Sequence, residues 1–221
     1  MPGKIGILLS GVGYDDGTQV LELPFIYREI EKGGSVPLCL IPTDLTPSAG
    51  RGKKLKHRNM FEECRQIIRG EEIAVEQIEA QALRALIIPG GKGAIKNLSD
   101  IEVTGSDGRI LRGVQDLIVG MNVRKKPIGC IGYGGALVMV ALKRTENEPI
   151  ITLGEDSALT ANLSNLGISP VNVCPQEVIF DTENNIFSTA GIAPGTSITK
   201  TSYGIERLVQ GILEFKEKKK K

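Results

Sequence analysis

The sequence predicts an α/β fold with a mostly parallel central sheet covered by helices on both faces. Three observations predict it. Short, continuous apolar runs such as Ile5-Gly6-Ile7-Leu8-Leu9 and Ala85-Leu86-Ile87-Ile88 have strand length and no polar alternation, as strands buried on both faces do. Longer amphipathic stretches separate them, which is the pattern of βαβ units. Three of the apolar runs end in glycine-rich turns, after Leu9, after Ile88 and after Ile131. Ligands of such sheets bind beyond the carboxyl ends of the strands. If those three strands are neighbours, their turns line one crevice, and that crevice is the candidate site.

The elements follow in order. After the first strand comes the loop Ser10–Gly17 and a helical pattern over 18–32, closed by Gly33-Gly34. Pro24 lies inside that pattern, so the helix begins later than its apolar spacing suggests or it kinks. Val36–Ile41 reads as a strand, 43–58 as a polar excursion and 58–69 as a helix closed by Gly70. Ala85–Ile88 reads as the third strand, followed by helices over 94–98 and 110–123. Pro127–Ile131 is a strand that enters Gly132-Tyr133-Gly134-Gly135, with a helix over 136–142. Pro149–Leu153, Val178–Asp181 and Ile186–Thr189 read as later strands, the last after the turn Asn184-Asn185. A helix over 197–215 and a solvated tail, 216–221, close the chain.

Composition narrows the function classes. With 221 residues and neither repeat nor linker, the whole span 1–221 reads as one domain. Lys+Arg is 27 and Asp+Glu 26, a net charge of +1, which argues against a nucleic-acid partner, for which a clustered basic face is expected. No apolar stretch approaches the roughly 18 residues of a membrane span, so no membrane partner is expected. The opening residues run directly into strand-like sequence, which predicts no targeting leader and a cytoplasmic protein. Four scattered cysteines, Cys39, Cys64, Cys130 and Cys174, with one histidine, His57, fit neither a disulfide framework nor a zinc site. No metal and no cofactor is expected. Cys39, Cys64 and Cys174 read as small packing residues, and His57 as a loop residue. The run 51–58 is strongly basic and reads as a solvated excursion or an anion contact. The loop Gly11-Val12-Gly13 lacks the spacing of a phosphate cradle.

A strand that enters a sharp glycine turn and then a helix is the layout of a nucleophile elbow. A thiol at such a helix N-terminus is stabilised as thiolate, and backbone N–H groups nearby hold a developing oxyanion. Gly90, Gly91, Tyr133 and Gly134 are the candidate donors. The run Lys126-Pro127-Ile128-Gly129-Cys130-Ile131-Gly132-Tyr133-Gly134-Gly135 resembles the elbow of the PfpI-type class I glutamine amidotransferase-like superfamily. Its ElbB-like, glyoxalase-related branch is the nearest match. That branch's other blocks appear in order: Leu9–Gly17, Arg58–Met60 through Ile68–Glu71, Ile87–Gly91 with Gly93–Ser99, Thr152–Gly154, Val173–Pro175, and Asp181 with Asn184-Asn185 and Ser188-Thr189. The resemblance implies a flavodoxin-like three-layer sandwich, a homodimer and a small-molecule ligand.

The departure from that pattern sets the functional expectation. The resemblance places the nucleophilic cysteine on Gly132, where this chain has no thiol. Members with a histidine after the cysteine would place it at Tyr133, and the branch's usual proline falls on Gly135. Cys130 lies two residues early, within the strand, and is expected to point into packing. The superfamily's glutamate, twelve residues before a helix-ending glycine, matches Glu22, which here faces a turn without a thiol or is an ordinary exposed residue. Gln19 stands where the branch often has an acid. Two functions remain open. One is a catalytically impaired homologue that binds a small molecule or regulates. The other is a glyoxalase-like or deglycase-like enzyme on small α-oxoaldehydes that uses Cys130 or Glu22. Gly132 itself reads either as the residue a tight turn prefers or as a lost nucleophile.

Overall fold

The computed structural model describes residues 3–43, 59–143, 145, 148–154, 164, 167 and 170–216. The basic run 51–58, His57 and the tail 217–221 lie outside the described residues. The central sheet is built from β1 (Lys4–Leu8), β2 (Val36–Ile41), β3 (Glu71–Ala74), β4 (Ala85–Ile88), β5 (Ile128–Ile131), β8 (Val178–Asp181) and β9 (Ile186–Thr189). Its order is β3-β2-β1-β4-β5-β9-β8, parallel throughout except for the antiparallel edge strand β8. β6 (Thr152–Gly154) and β7 (Val171–Asn172) form a separate two-stranded sheet. The helices are α1 (Leu23–Lys32), α2 (Met60–Arg65), α3 (Gly93–Lys96), α4 (Ile101–Thr104), α5 (Arg112–Val123), α6 (Tyr133–Leu142) and α7 (Ile198–Glu214).

Strand periodicity divides the core into two layers. Ile5, Ile7, Cys39, Ile41, Ala85, Ile87, Ile131 and Phe187 face α1 and α7, where they meet Ile26, Ile30, Ile205, Leu208 and Ile212. Leu8, Leu38, Leu40, Leu86, Ile88, Ile128 and Cys130 face the opposite layer and meet Leu117, Ile118, Met121 and Leu137 of α5 and α6. Both faces of the central strands are therefore dry, and this is why their sequences are continuously apolar. Each large side chain buried there contributes about 1.5–3 kcal/mol.

Several boundaries differ from the sequence reading for local reasons. The first helix begins at Leu23, after a 3₁₀ turn over Val20–Glu22, which puts Pro24 in its first turn and leaves no kink. The second helix is only Met60–Arg65, started by Asn59, whose side chain accepts the Glu62 N–H at 3.1 Å. β3 was not expected, because its Glu71-Glu72 start hides an edge strand that is wet on one side. The strand expected at 149–153 starts at Thr152 and pairs with β7 away from the central sheet. The elbow helix starts at Tyr133, directly after Gly132, rather than at 136.

Candidate functional site

β1, β4 and β5 are adjacent in the sheet, so the turns that follow them do meet. The crevice lies where the chain's winding direction reverses about β1 and β4, the ligand-binding position of open α/β sheets. Gly132 occupies the turn from β5 into α6 with φ +48° and ψ −121°. Side chains rarely adopt that conformation, and a nucleophile elbow imposes it. A Cβ at Gly132 would stand 3.1 Å from Gly191 Cα and 3.3 Å from Gly191 N. A cysteine there requires the backbone of Gly191 to move by a few tenths of an ångström. Gly134 is fixed more firmly, since its Cβ would stand 2.5 Å from the Ile88 carbonyl oxygen.

Glu22 closes the crevice from the start of α1. It has no solvent exposure, which rules out the exposed-residue reading. Its Oε2 accepts the Gly90 N–H at 2.6 Å, and its Oε1 accepts the Ile192 N–H at 2.8 Å. Burial pushes its carboxyl up to about 8, against the two backbone donors that favour the ionised form. The Gly90 N–H is thus committed to Glu22, which corrects its assignment as an oxyanion donor. Among the described residues no acceptor lies on the N–H groups of Gly91, Tyr133 or Gly134. The last two are the orphan donors of a helix start.

Gln19 has a reason to be an amide. Its Nε2 donates to the Ile192 carbonyl at 2.5 Å, which an ionised carboxylate cannot do. Tyr14 and Tyr133 sit beside the elbow with their rings edge to face, centroids 6.3 Å apart. Lys92 lies 5.4 Å from the centre of the Tyr14 ring and pairs with Asp15 at 2.8 Å. Sequence reasoning missed Tyr14, Asp15, Lys92 and the segment 190–192. The last of these carries only Ala190-Gly191-Ile192, small or apolar residues that give no chemical signal.

The thiols are elsewhere. Cys130 has no solvent exposure, packs in the layer of α5 and α6, and directs its Sγ at the Phe187 carbonyl at 3.7 Å. Burial raises its pKa far above the ordinary value. Cys39 and Cys64 are in the opposite core layer, and burial pushes Cys64 up to about 12. Cys174 is exposed, which corrects its assignment as a packing residue. Among the described residues no group of three or more His, Cys, Asp or Glu is placed to hold a metal ion, and no helix is long and apolar enough to cross a membrane.

No family model matches the chain. It is 27% identical to the rat "ES1 protein homolog, mitochondrial" over 96% of its own length and 84% of the relative's. It is 25% identical to the human "glutamine amidotransferase-like class 1 domain-containing protein 3, mitochondrial", over 96% and 83%. Among solved structures, an isoprenoid biosynthesis protein with an amidotransferase-like domain from Ehrlichia chaffeensis superposes with a TM-score of 0.80 at 22% identity, covering 95% of this chain and 98% of the other. Drosophila melanogaster DJ-1beta superposes at 0.54 with 13% identity, over 97% and 95%. The chain shares its fold with these amidotransferase-like and DJ-1 structures. The sequence relatives are ES1 proteins and a glutamine amidotransferase-like protein, which together with these structures supports the DJ-1/PfpI, amidotransferase-like superfamily.

The cytoplasmic expectation is overturned by these comparisons. Three of the curated relatives, from rat, human and Danio rerio, carry "mitochondrial" in their names. Strand-like opening residues report a strand, not a compartment.

Proposed function

We propose that the chain is a catalytically impaired member of the PfpI/ElbB-like group that acts by binding a small molecule. The observation that carries this reading is Gly132. The elbow conformation is kept, yet the position that the resemblance gives to the nucleophile has no side chain. Covalent catalysis without a nucleophile loses its attacking atom, not a few kcal/mol of support. Cys130 does not replace it, because its sulfur is buried against the Phe187 carbonyl and its thiolate is disfavoured. What remains suits binding: N–H groups at Gly91, Tyr133 and Gly134 that no acceptor among the described residues engages, with Tyr14 and Lys92 beside the elbow. The resemblance also supports a homodimer, which sedimentation of the purified protein tests.

One observation favours a second reading, a glyoxalase-like or deglycase-like enzyme on small α-oxoaldehydes. Glu22 is poised near neutral pH, as a general acid or base is. Methylglyoxal consumption separates the two. Under the binding reading, wild-type protein and Cys130→Ala both fail to consume it, while Gly132→Cys gains a reactive thiol. Turnover by the wild type that disappears in Cys130→Ala or Glu22→Gln would establish the enzyme reading instead.

A further inference from the structure

The turn over residues 19–22 grips two loops that are distant in sequence. The Gln19 N–H donates to the Gly90 carbonyl at 2.8 Å, and Glu22 accepts the Gly90 N–H, so both backbone groups of Gly90 are held. Ile192 is held in the same way, its carbonyl by Gln19 and its N–H by Glu22. Gly191, next to Ile192, is the residue whose backbone lies against Gly132. Whatever releases Ile192 therefore uncovers the elbow.

The charged surroundings of Glu22 are sparse. Neither Pro89-Gly90-Gly91 nor the segment 190–196 has an ionisable side chain. Tyr14 on the loop after β1 lies near enough to sense the Glu22 charge, and its ring meets that of Tyr133, at the start of α6, edge to face. Cys130 of β5 faces the other core layer. Lys92 is paired with Asp15. Farther along α1 and α7, Glu29, Arg28 and Glu206 pair with one another. Among the described residues no cation offsets a negative charge on Glu22.

We propose that Glu22 is a proton-operated clamp on the crevice. The neutral carboxyl holds the Gly90 and Ile192 loops to the start of α1. The ionised form accepts the same two N–H bonds, but with no cation beside it the cost of a charge in a dry interior outweighs them, which favours release of the segment 190–196 and entry of water to Gly132. The clamp works in the same way whether the site binds or catalyses. Any state in which Glu22 is hydrated restores its carboxyl toward 4.5, so opening becomes more favourable as pH rises from 4.5 to about 8 and then levels off.

Amide hydrogen exchange of the purified protein, corrected for intrinsic rates, tests this. The Gly90 and Ile192 amides are expected to exchange faster than the β4 and β5 sheet amides at every pH. Their protection is expected to fall on the order of 10²-fold between about pH 6 and about pH 9. Glu22→Gln is expected to flatten that dependence. Should that variant fail to fold, the carboxyl ¹³C resonance of wild-type Glu22 supplies the second reading, with a midpoint expected where the exchange levels off. The clamp is overturned by pH-independent protection, by exchange as slow as that of the sheet, by a slope that persists in Glu22→Gln, or by a midpoint near 4.5.

Discussion

Two glutamates of the first helix, Glu22 just before its first residue and Glu29 near its end, are both shielded from solvent and behave oppositely. Glu22 has no exposure and Glu29 is 2% exposed. Around Glu29, burial alone raises the carboxyl, but hydrogen bonds from Lys32 at 2.8 Å, Gln210 at 2.9 Å and Arg28 at 3.0 Å outweigh it, and its pKa is lowered. Around Glu22 only backbone N–H groups donate, and burial prevails. Glu29 ties α1 to α7 as a permanent charge, whereas Glu22 sits at the crevice as a group that titrates near neutrality. Cations beside Glu29 and its shallower place in the fold, neither of which Glu22 has, separate a structural carboxylate from one able to handle protons.

The largest expected effect is at Glu22. Its folded-state pKa is raised, so its contribution to stability is full below about 4.5 and is lost as pH rises through about 8. Across that window the folded-to-unfolded ratio is expected to fall on the order of 10³-fold relative to Glu22→Gln. Chemical denaturation of both proteins across the pH range measures it. Parallel curves would erase the contrast with Glu29.

Glu29 is expected to show the reverse sign. Its lowered pKa gives stability that is present above the ordinary carboxylate range and lost as pH falls. Glu29→Ala, which removes the acceptor of Lys32 and Gln210 and one of the two partners of Arg28, is expected to cost about 1–2 kcal/mol in urea denaturation at neutral pH. A loss below roughly 0.5 kcal/mol would show that the pairing is as weak as an exposed ion pair.

A smaller effect is expected from Gln19→Glu. The change removes the donor to the Ile192 carbonyl and places a second acid beside Glu22. Melting curves are expected to show a loss of about 1–2 kcal/mol at neutral pH that shrinks as acid protonates the new side chain. A loss that grows on acidification would contradict the donor role assigned to Gln19.

The contrast also marks what the sequence made legible. The parallel sheet was readable because β1, β4 and β5 are dry on both faces, so their residues are apolar without interruption. The three glycine-rich turns located the crevice, because backbone that must turn sharply leaves its signature in composition. β3 escaped notice, since an edge strand that begins Glu71-Glu72 reads as surface. Glu22 was legible as a position but not as a buried, titrating group. Its partners are the backbone N–H groups of Gly90 and Ile192, which any sequence supplies. Lys92 and Asp15 look like surface charges until the fold brings them together beside Tyr14.

The central claim is that no thiolate serves the crevice. Alkylation of the native protein with a small electrophile, read cysteine by cysteine by mass spectrometry, tests it most directly. The account predicts that Cys174 is modified at the rate of an ordinary exposed thiol, while Cys39, Cys64 and Cys130 are protected until the protein unfolds. Rapid, saturable modification of Cys130 in the folded protein would contradict it.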